Sequence, residues 1–182
     1  MCSRRRVLGA AGAVGVAALA GCAGGSGAAP SPVTIDPEAT CDVCGMVVAA
    51  HPGPSSEVFY AENRPAGHAN PARFDSTWEA FRFDFERDWT REAFYVTDYS
   101  TTEYEVRTDG ETKLISRHTA AETFTDATVA TFVVDSAVLG TMGADLLGFS
   151  AREDAERFRA NHGGDLVTFD EVSRTLVGQL GR

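Results

Sequence analysis

The chain contains 182 residues, with 26 Asp and Glu against 16 Lys and Arg, and its formal net charge is −10. This length predicts one domain, and a hydrophobic fraction of 43% is enough to form a core, which excludes a wholly disordered protein. No apolar run reaches the roughly 18 residues of a membrane-spanning helix, which excludes a polytopic membrane protein. The acidic balance argues against nucleic-acid binding, because no basic stripe is present to neutralise phosphates.

Residues 1–21 have the pattern of an export signal. The arginines Arg4–Arg6 precede an apolar stretch of about 14 residues, and Leu19-Ala20-Gly21-Cys22 resembles a lipobox. Paired arginines followed by Val-Leu resemble a twin-arginine signal, which exports folded proteins. We predict a twin-arginine lipoprotein signal peptide over 1–21, a lipid on Cys22 that anchors the chain to the outer face of the cytoplasmic membrane, and a flexible linker over 22–34. A plain cleaved signal or a short anchor is the alternative.

Removal of the signal would make the chain still more acidic. It takes away three arginines and no acid, so the net charge changes from −10 to −13. Lys113 is then the sole lysine. Such a carboxylate surface is explained either by solubility through self-repulsion or by a halophilic-type adaptation to high salt, which screens that repulsion.

The folded part, residues 35–182, has the pattern of an α+β protein. Predicted strands cover residues 47–50, 57–60, 93–97, 103–107, 128–134 and 166–169. A helix is predicted to open at Ser76, which forms a capping box with Glu79. Two further helices are predicted over 150–161, with Ser150 and Glu153 as the capping pair, and over 171–180. Asp109-Gly110 indicates a turn before the strand residues Leu114-Ile115.

A weak internal repeat occurs at an offset of 75 residues. Phe74 matches Phe149, Ala80 matches Ala155, and in both halves a strand and a loop precede a helix. The repeat predicts two similar ββαβ lobes packed into one body, over about 35–110 and 111–182. In this alignment the loop at Gly67-His68 corresponds to the loop at Met142.

Sulfur-containing side chains are scarce and clustered. Cys2 would leave with the signal and Cys22 would carry the lipid, so Cys41 and Cys44 are the two thiols that remain. The mature chain would likewise retain two methionines, Met46 and Met142. Three of these four sulfur atoms lie within six consecutive residues, which random placement would rarely produce.

The C-x-x-C pair admits several chemistries. Haem attachment is excluded because Gly45 follows the second cysteine, and zinc is disfavoured because the four histidines form no H-x₃₋₅-H pair. A thioredoxin-like thiol pair and a structural disulfide stay open. Thiolate and thioether donors together favour Cu(I), since both are polarisable, and glycines beside Met46 and Met142 would let the backbone bend toward a metal.

The chain resembles the NosL family of copper-binding lipoproteins, which assist maturation of nitrous oxide reductase. The resemblance covers essentially the whole mature chain. It rests on the lipobox, on the run from Cys41 to Met46, and on a run from Met142 to Gly164 that contains Phe149, Phe158 and His162-Gly163-Gly164. The family's usual proline before Phe149 is replaced by Gly148, which predicts a less rigid loop after Met142.

The resemblance implies a non-enzymatic Cu(I) chaperone with two ββαβ-type lobes. Carried over by motif, Cys44, Met46 and Met142 are the best metal ligands, and Cys41 is a second thiolate or a non-ligand. The implied partners are nitrous oxide reductase and its ABC-type membrane maturation complex. Among the histidines, His68 is the first candidate for a further ligand.

Two alternatives come from other functional classes. One is an extracytoplasmic thiol-disulfide oxidoreductase that uses the Cys41/Cys44 pair to keep a partner's cysteines reduced. The other is a structural lipoprotein in which the pair forms a disulfide staple. The methionines distinguish the oxidoreductase from a copper chaperone, because a redox-active cysteine pair does not need a thioether, whereas the proposed copper site does.

Overall fold

The computed structural model describes residues 28–65 and 67–180. The predicted signal peptide 1–21, Cys22 and the predicted linker as far as residue 27 lie outside this range. The described part contains ten strands, three α-helices and four single-turn 3₁₀ helices. The strands are β1 Ser56–Tyr60, β2 Ala72–Phe74, β3 Arg91–Thr97, β4 Val106–Asp109, β5 Thr112–Ile115, β6 Phe124–Asp126, β7 Thr131–Val134, β8 Val138–Leu139, β9 Leu146–Phe149 and β10 Asp165–Thr168. The helices are α1 Thr77–Phe85, α2 Arg152–His162 and α3 Arg174–Val177, with 3₁₀ turns at Val48–Ala50, Ala121–Thr123, Ala127–Val129 and Phe169–Glu171.

The α+β class is confirmed, and two parts of the chain share one topology. β1 lies between the antiparallel strands β2 and β3, and β7 lies between the antiparallel strands β9 and β10. The helices α1 and α2 occupy equivalent positions, after β2 and after β9. β2 ends at Phe74 and β9 ends at Phe149, which is the predicted offset of 75 residues. The boundary between the lobes near residue 110 stays a prediction.

A third sheet lies outside this repeated topology. The strands β4 and β5 form an antiparallel hairpin across the predicted Asp109-Gly110 turn, and β8 pairs in parallel with β5. In the part of the chain that the structure describes, no helix has the length and apolar character needed to cross a membrane.

Two apolar cores underlie these sheets. The larger one contains Phe74, Phe81 and Phe94 together with the cysteine-bearing segment, through Ala39 and Cys41. The smaller one surrounds Tyr99, Phe149 and Phe158. Because Cys41 is 3% exposed, one half of the C-x-x-C pair is part of the packed interior.

Several local predictions were wrong, each for a local reason. The predicted strand over 47–50 is a 3₁₀ turn, Val48–Ala50, that follows an isolated bridge between Thr40 and Val47. The cap predicted at Ser150 is absent, since α2 begins at Arg152 and its N-cap Ala151 has no side-chain bond. The predicted helix over 171–180 is replaced by a 3₁₀ turn, Phe169–Glu171, and by the short α3.

Gly148 does not lie in a loop, as the resemblance predicts, but within β9, opposite Phe132. A Cβ atom at this position would come within 2.9 Å of the carbonyl oxygen of Thr97 and of Cγ2 of Val96. The amide of Tyr99 donates to the Gly148 carbonyl at 3.0 Å. Glycine is therefore required here by the close approach of the last two residues of β3.

The residues just before the domain are bonded to the first sheet. The Tyr95 hydroxyl donates to the Pro30 carbonyl at 2.8 Å, and the Val33 amide donates to Oε2 of Glu57 at 3.0 Å. Glu57 is fully buried on the central strand β1, and its Oε1 has no partner among the described residues. Burial raises the pKa of Glu57 from 4.5 to about 7, although the bond from the Val33 amide and the charge of Arg73 lower it in part.

This buried carboxyl makes stability depend on pH. The folded state holds the Glu57 proton more tightly than the unfolded chain does. The contribution of this proton to the free energy of unfolding is therefore complete below pH 4.5 and is lost as the pH rises through about 7. We expect Glu57→Gln to remove up to about 3 kcal/mol of the pH dependence of the unfolding free energy between pH 4.5 and pH 8. Urea denaturation at both ends of this range measures the difference. Glu92→Gln, at an exposed position on β3, is the control, and equal pH dependence in wild type and Glu57→Gln would contradict the prediction.

Candidate metal centre

A tight hairpin carries three of the four sulfur residues predicted to bind metal. The Cys41 amide donates to the Met46 carbonyl at 2.8 Å, and the Gly45 amide donates back to the Cys41 carbonyl at 3.0 Å. Gly45 has φ +75°, a left-handed conformation that glycine adopts at little cost. The turn buries Cys41, exposes Cys44 and leaves Met46 half-buried. We call residues 40–47 the cysteine loop.

Two carboxylates face the two thiols. The sulfur atoms of Cys41 and Cys44 and one carboxylate oxygen each from Asp75 and Glu79 all lie within 4.8 Å of one another. The Cys41 thiol donates to Oε2 of Glu79 at 3.0 Å, and the Cys44 thiol lies 3.6 and 3.7 Å from the oxygens of Asp75. Both cysteines are free thiols. These four residues form the donor cluster.

The start of α1 supplies both carboxylates. Ser76 is the N-cap, as predicted, and its hydroxyl accepts from the Glu79 amide at 3.3 Å. Asp75 directly precedes this cap, and Glu79 lies in the first turn of the helix. The Glu79 side chain bonds to Cys41, so it does not close the predicted capping box. The helix start therefore sets the geometry of the cluster.

Burial keeps protons on the thiols. It raises the pKa of Cys41 strongly, and the Glu79 carboxylate raises it further. The pKa of Cys44 is raised by burial and by the charge of Asp75, and burial together with Asp75 raises that of Glu79 to about 7. A metal that binds a thiolate here must displace a proton, so its affinity rises with pH.

Met142 lies at the tip of a second tight turn. The backbones of Gly140 and Gly143 bond to each other in both directions, at 2.9 and 3.3 Å, and Thr141-Met142 forms the turn between them. Met142 is half-buried. Behind this turn, Asp145 is buried, and its Oδ1 accepts from the Trp78 amide at 2.8 Å. We call residues 140–145 the methionine loop, and Asp145 joins it to the first turn of α1.

Arg117 connects the methionine loop to the segment that carries Asp75. Its Nη2 donates to the Asp75 carbonyl at 2.7 Å and to Oγ1 of Thr141 at 2.9 Å. The same guanidinium donates to three further carbonyls, those of His51, Pro52 and Pro54, at 2.7 to 2.9 Å. The methionine loop is thus held against the segment that carries Asp75, while Met46 belongs to the cysteine loop itself.

His68 lies outside the donor cluster. Its Nε2 is 2.8 Å from Oδ1 of Asp42, and its Nδ1 is 2.7 Å from the Ala69 carbonyl, so both ring nitrogens have partners. The other carboxylate oxygen of Asp42 accepts from the Arg73 amide at 2.7 Å. His68 therefore supports the cysteine loop through Asp42.

Sequence reasoning missed Asp75, Glu79 and Arg117. The sequence predicts a role for Glu79 in a capping box with Ser76. This local role gives no indication that Glu79 contacts Cys41, which lies 38 residues earlier. Asp75 precedes an N-cap, where an acidic residue is common. Arg117 has no signal, since its five acceptors lie in three separate segments.

Most of the chain is similar to one family of known proteins. Residues 32–177 match the NosL family. The copper-binding lipoprotein NosL of Stutzerimonas stutzeri is 29% identical over 148 residues, which are 80% of this chain and 68% of that protein. The crystal structure of the copper chaperone NosL from Shewanella denitrificans matches with a TM-score of 0.60 and 30% identity, over 78% of this chain and 94% of that one. The chain therefore belongs to the NosL family.

Proposed function

We propose that the chain is an exported, lipid-anchored chaperone that carries Cu(I) and delivers it for assembly of the copper centres of nitrous oxide reductase, through an ABC-type membrane complex. The observation that carries the proposal is the donor cluster, with two free thiols on a loop that also carries Met46. The names of the relatives, copper-binding lipoprotein and copper chaperone, support copper as the cargo. No catalytic role is proposed.

The donor chemistry suits Cu(I) as cargo. Cys44, Met46 and Met142 would hold it, with Cys41 as a second thiolate, because soft sulfur donors favour a soft monovalent ion. Asp75 and Glu79 face the thiols and can accept the protons that the metal displaces. Cys44 is exposed, so a partner's sulfur or imidazole can reach the metal from its side and take it over by ligand exchange.

The oxidoreductase alternative is less well supported. Two free thiols within 4.8 Å of each other could form a disulfide and be reduced again. However, the attacking group in such chemistry is a thiolate, which requires a lowered pKa. Burial and neighbouring carboxylates raise the pKa of both cysteines instead.

Copper transfer tests the function directly. The Cu(I)-loaded chain is mixed under anaerobic conditions with copper-free nitrous oxide reductase, the proteins are separated, and the copper content of each is measured. We expect copper to move to the reductase from the wild type, and Cys44→Ser to carry and transfer much less. Ser150→Ala, at an exposed position before α2, is the control. A fully loaded wild-type chain that transfers no copper to the reductase, with or without its membrane complex, would contradict delivery.

Lipid anchoring has its own test. We expect Cys22→Ser to move the protein from the membrane fraction to the soluble exported fraction, because the thiol that would carry the lipid is gone. Immunoblotting of separated fractions measures the shift. Cys44→Ser is the matched control and should stay with the membrane. Retention of Cys22→Ser in the membrane fraction would rule out the lipid anchor.

A further inference from the structure

A cleft of about 550 Å³ opens beside the cysteine loop. One wall is the loop itself, the second is the segment between β1 and β2, and the third is the end of α1 with the residues that follow it. Its lining includes Asp42, Val43, Arg64, Phe83, Arg87 and Trp89. Anything bound in this cleft would touch the loop that carries Cys44.

Arg87 is held rigidly in the cleft. Its Nη1 donates to the Phe83 carbonyl at 2.9 Å, and its guanidinium carbon lies 3.3 Å from the centre of the Phe83 ring and 5.3 Å from that of Trp89. A guanidinium fixed on aromatic faces loses little further side-chain entropy when it binds. Its remaining N–H groups form a ready donor for a planar anion.

The cleft is cationic, although the chain is strongly acidic. Arg64 is exposed and has no ion pair in the described ranges. Asp42 is the one acidic residue among the described residues of the lining, and both of its oxygens are occupied, by His68 and by the Arg73 amide. Two arginines therefore face an opening in a chain that has ten more acidic than basic residues.

We propose that this cleft docks a carboxylate-bearing segment of the protein that exchanges copper with this chain. The inference rests on the proposed function. Arg64 and Arg87 would bind the carboxylate, while Phe83 and Trp89 would pack against the apolar part of the same segment. A concave, aromatic-walled site suits a peptide better than the flat surface of a membrane. The exposed side chain of Val43, on the cysteine loop, would bring the docked segment beside Cys44.

Trp89 provides a direct readout. The chain has two tryptophans, so Trp78→Phe leaves Trp89 as the sole tryptophan, which is excited selectively over the tyrosines, at the cost of one hydrogen bond to Val177. We titrate this copper-free variant with hexaglutamate, with hexalysine and with phosphatidylglycerol vesicles. Hexaglutamate should shift the Trp89 emission saturably, and the other two should not.

Matched variants identify the arginines. Adding Arg64→Gln and Arg87→Gln should weaken hexaglutamate binding about tenfold or more. Arg152→Gln with Arg157→Gln makes the same charge change on exposed side chains of α2 and should have little effect. Arg64→Gln alone, at an exposed position, should weaken binding severalfold without disturbing the stacked Arg87.

Three results would overturn the proposal: no saturable response to hexaglutamate, an equal loss in the α2 control, or a response to vesicles without one to the peptide. Because the titration uses copper-free protein, it is independent of copper affinity, which tests the proposed function separately.

Discussion

Replacing both Met46 and Met142 by leucine should lower the affinity for Cu(I) about 100-fold or more, which corresponds to roughly 3 kcal/mol. The two thioethers supply half of the proposed sulfur ligands, and leucine has a similar volume but no donor atom. Leucine for methionine costs less than about 1.5 kcal/mol of stability even in a core, and both side chains are half-buried. The fold should therefore survive. Competition with a colorimetric Cu(I) chelator measures the affinity.

The two single variants serve as controls for each other, because the predicted mature chain has no other methionine. Each should lose part of the affinity, and X-ray absorption of the copper-loaded proteins should count one sulfur fewer in each. The redox behaviour of Cys41 and Cys44 should not change in the double variant. An unchanged Cu(I) affinity would reject the chaperone chemistry and favour the oxidoreductase.

Arg117→Met should be among the most destabilising substitutions in the chain. It removes five hydrogen bonds and leaves the carbonyls of His51, Pro54 and Asp75 without that donor. A buried polar group that loses its partner costs about 1–3 kcal/mol, so we expect the free energy of unfolding to fall by roughly 3 kcal/mol or more. Urea denaturation of the copper-free protein measures this loss.

A smaller change tests the same connection if Arg117→Met does not fold. Thr141→Val removes the bonds of Oγ1 to Arg117 and to the Pro52 carbonyl, and it should cost about 1–2 kcal/mol. Arg152→Met on α2, whose ion pair with Glu156 is exposed, should change stability by less than about 0.5 kcal/mol. A loss for Thr141→Val no larger than for this control would show that the contact of the methionine loop with Arg117 and Pro52 contributes little to stability.

Elements with strong local signals could be predicted from the sequence. Ser76 begins a helix, Asp109-Gly110 turns a hairpin, and the offset between Phe74 and Phe149 anticipates two copies of one strand arrangement. The parallel pair of β5 and β8 could not be predicted, since it contains two residue pairs and depends on long-range packing. The short apolar run at 47–50 likewise predicted a strand where the structure has a 3₁₀ turn, Val48–Ala50, since an apolar run of this length does not distinguish the two.

Prediction of the candidate site was limited in the same way. The sequence alone singled out Cys41, Cys44, Met46 and Met142, because sulfur is scarce and its clustering is visible. Asp75 and Glu79 could not be predicted as members of the donor cluster. Carboxylates are abundant in this chain, and the positions of these two in the sequence do not indicate that they lie near the cysteines in space. The assignment of individual ligands to copper stays a prediction.

Cys41 belongs both to the donor cluster and to the larger apolar core. Any ion bound at the cluster therefore stabilises the native state through a residue of the interior, by an amount that grows with the logarithm of free metal concentration. Metal binding and the free energy of unfolding are therefore thermodynamically linked. The metal-free form is then the less stable one, so proteases would degrade metal-free molecules faster than metal-loaded ones.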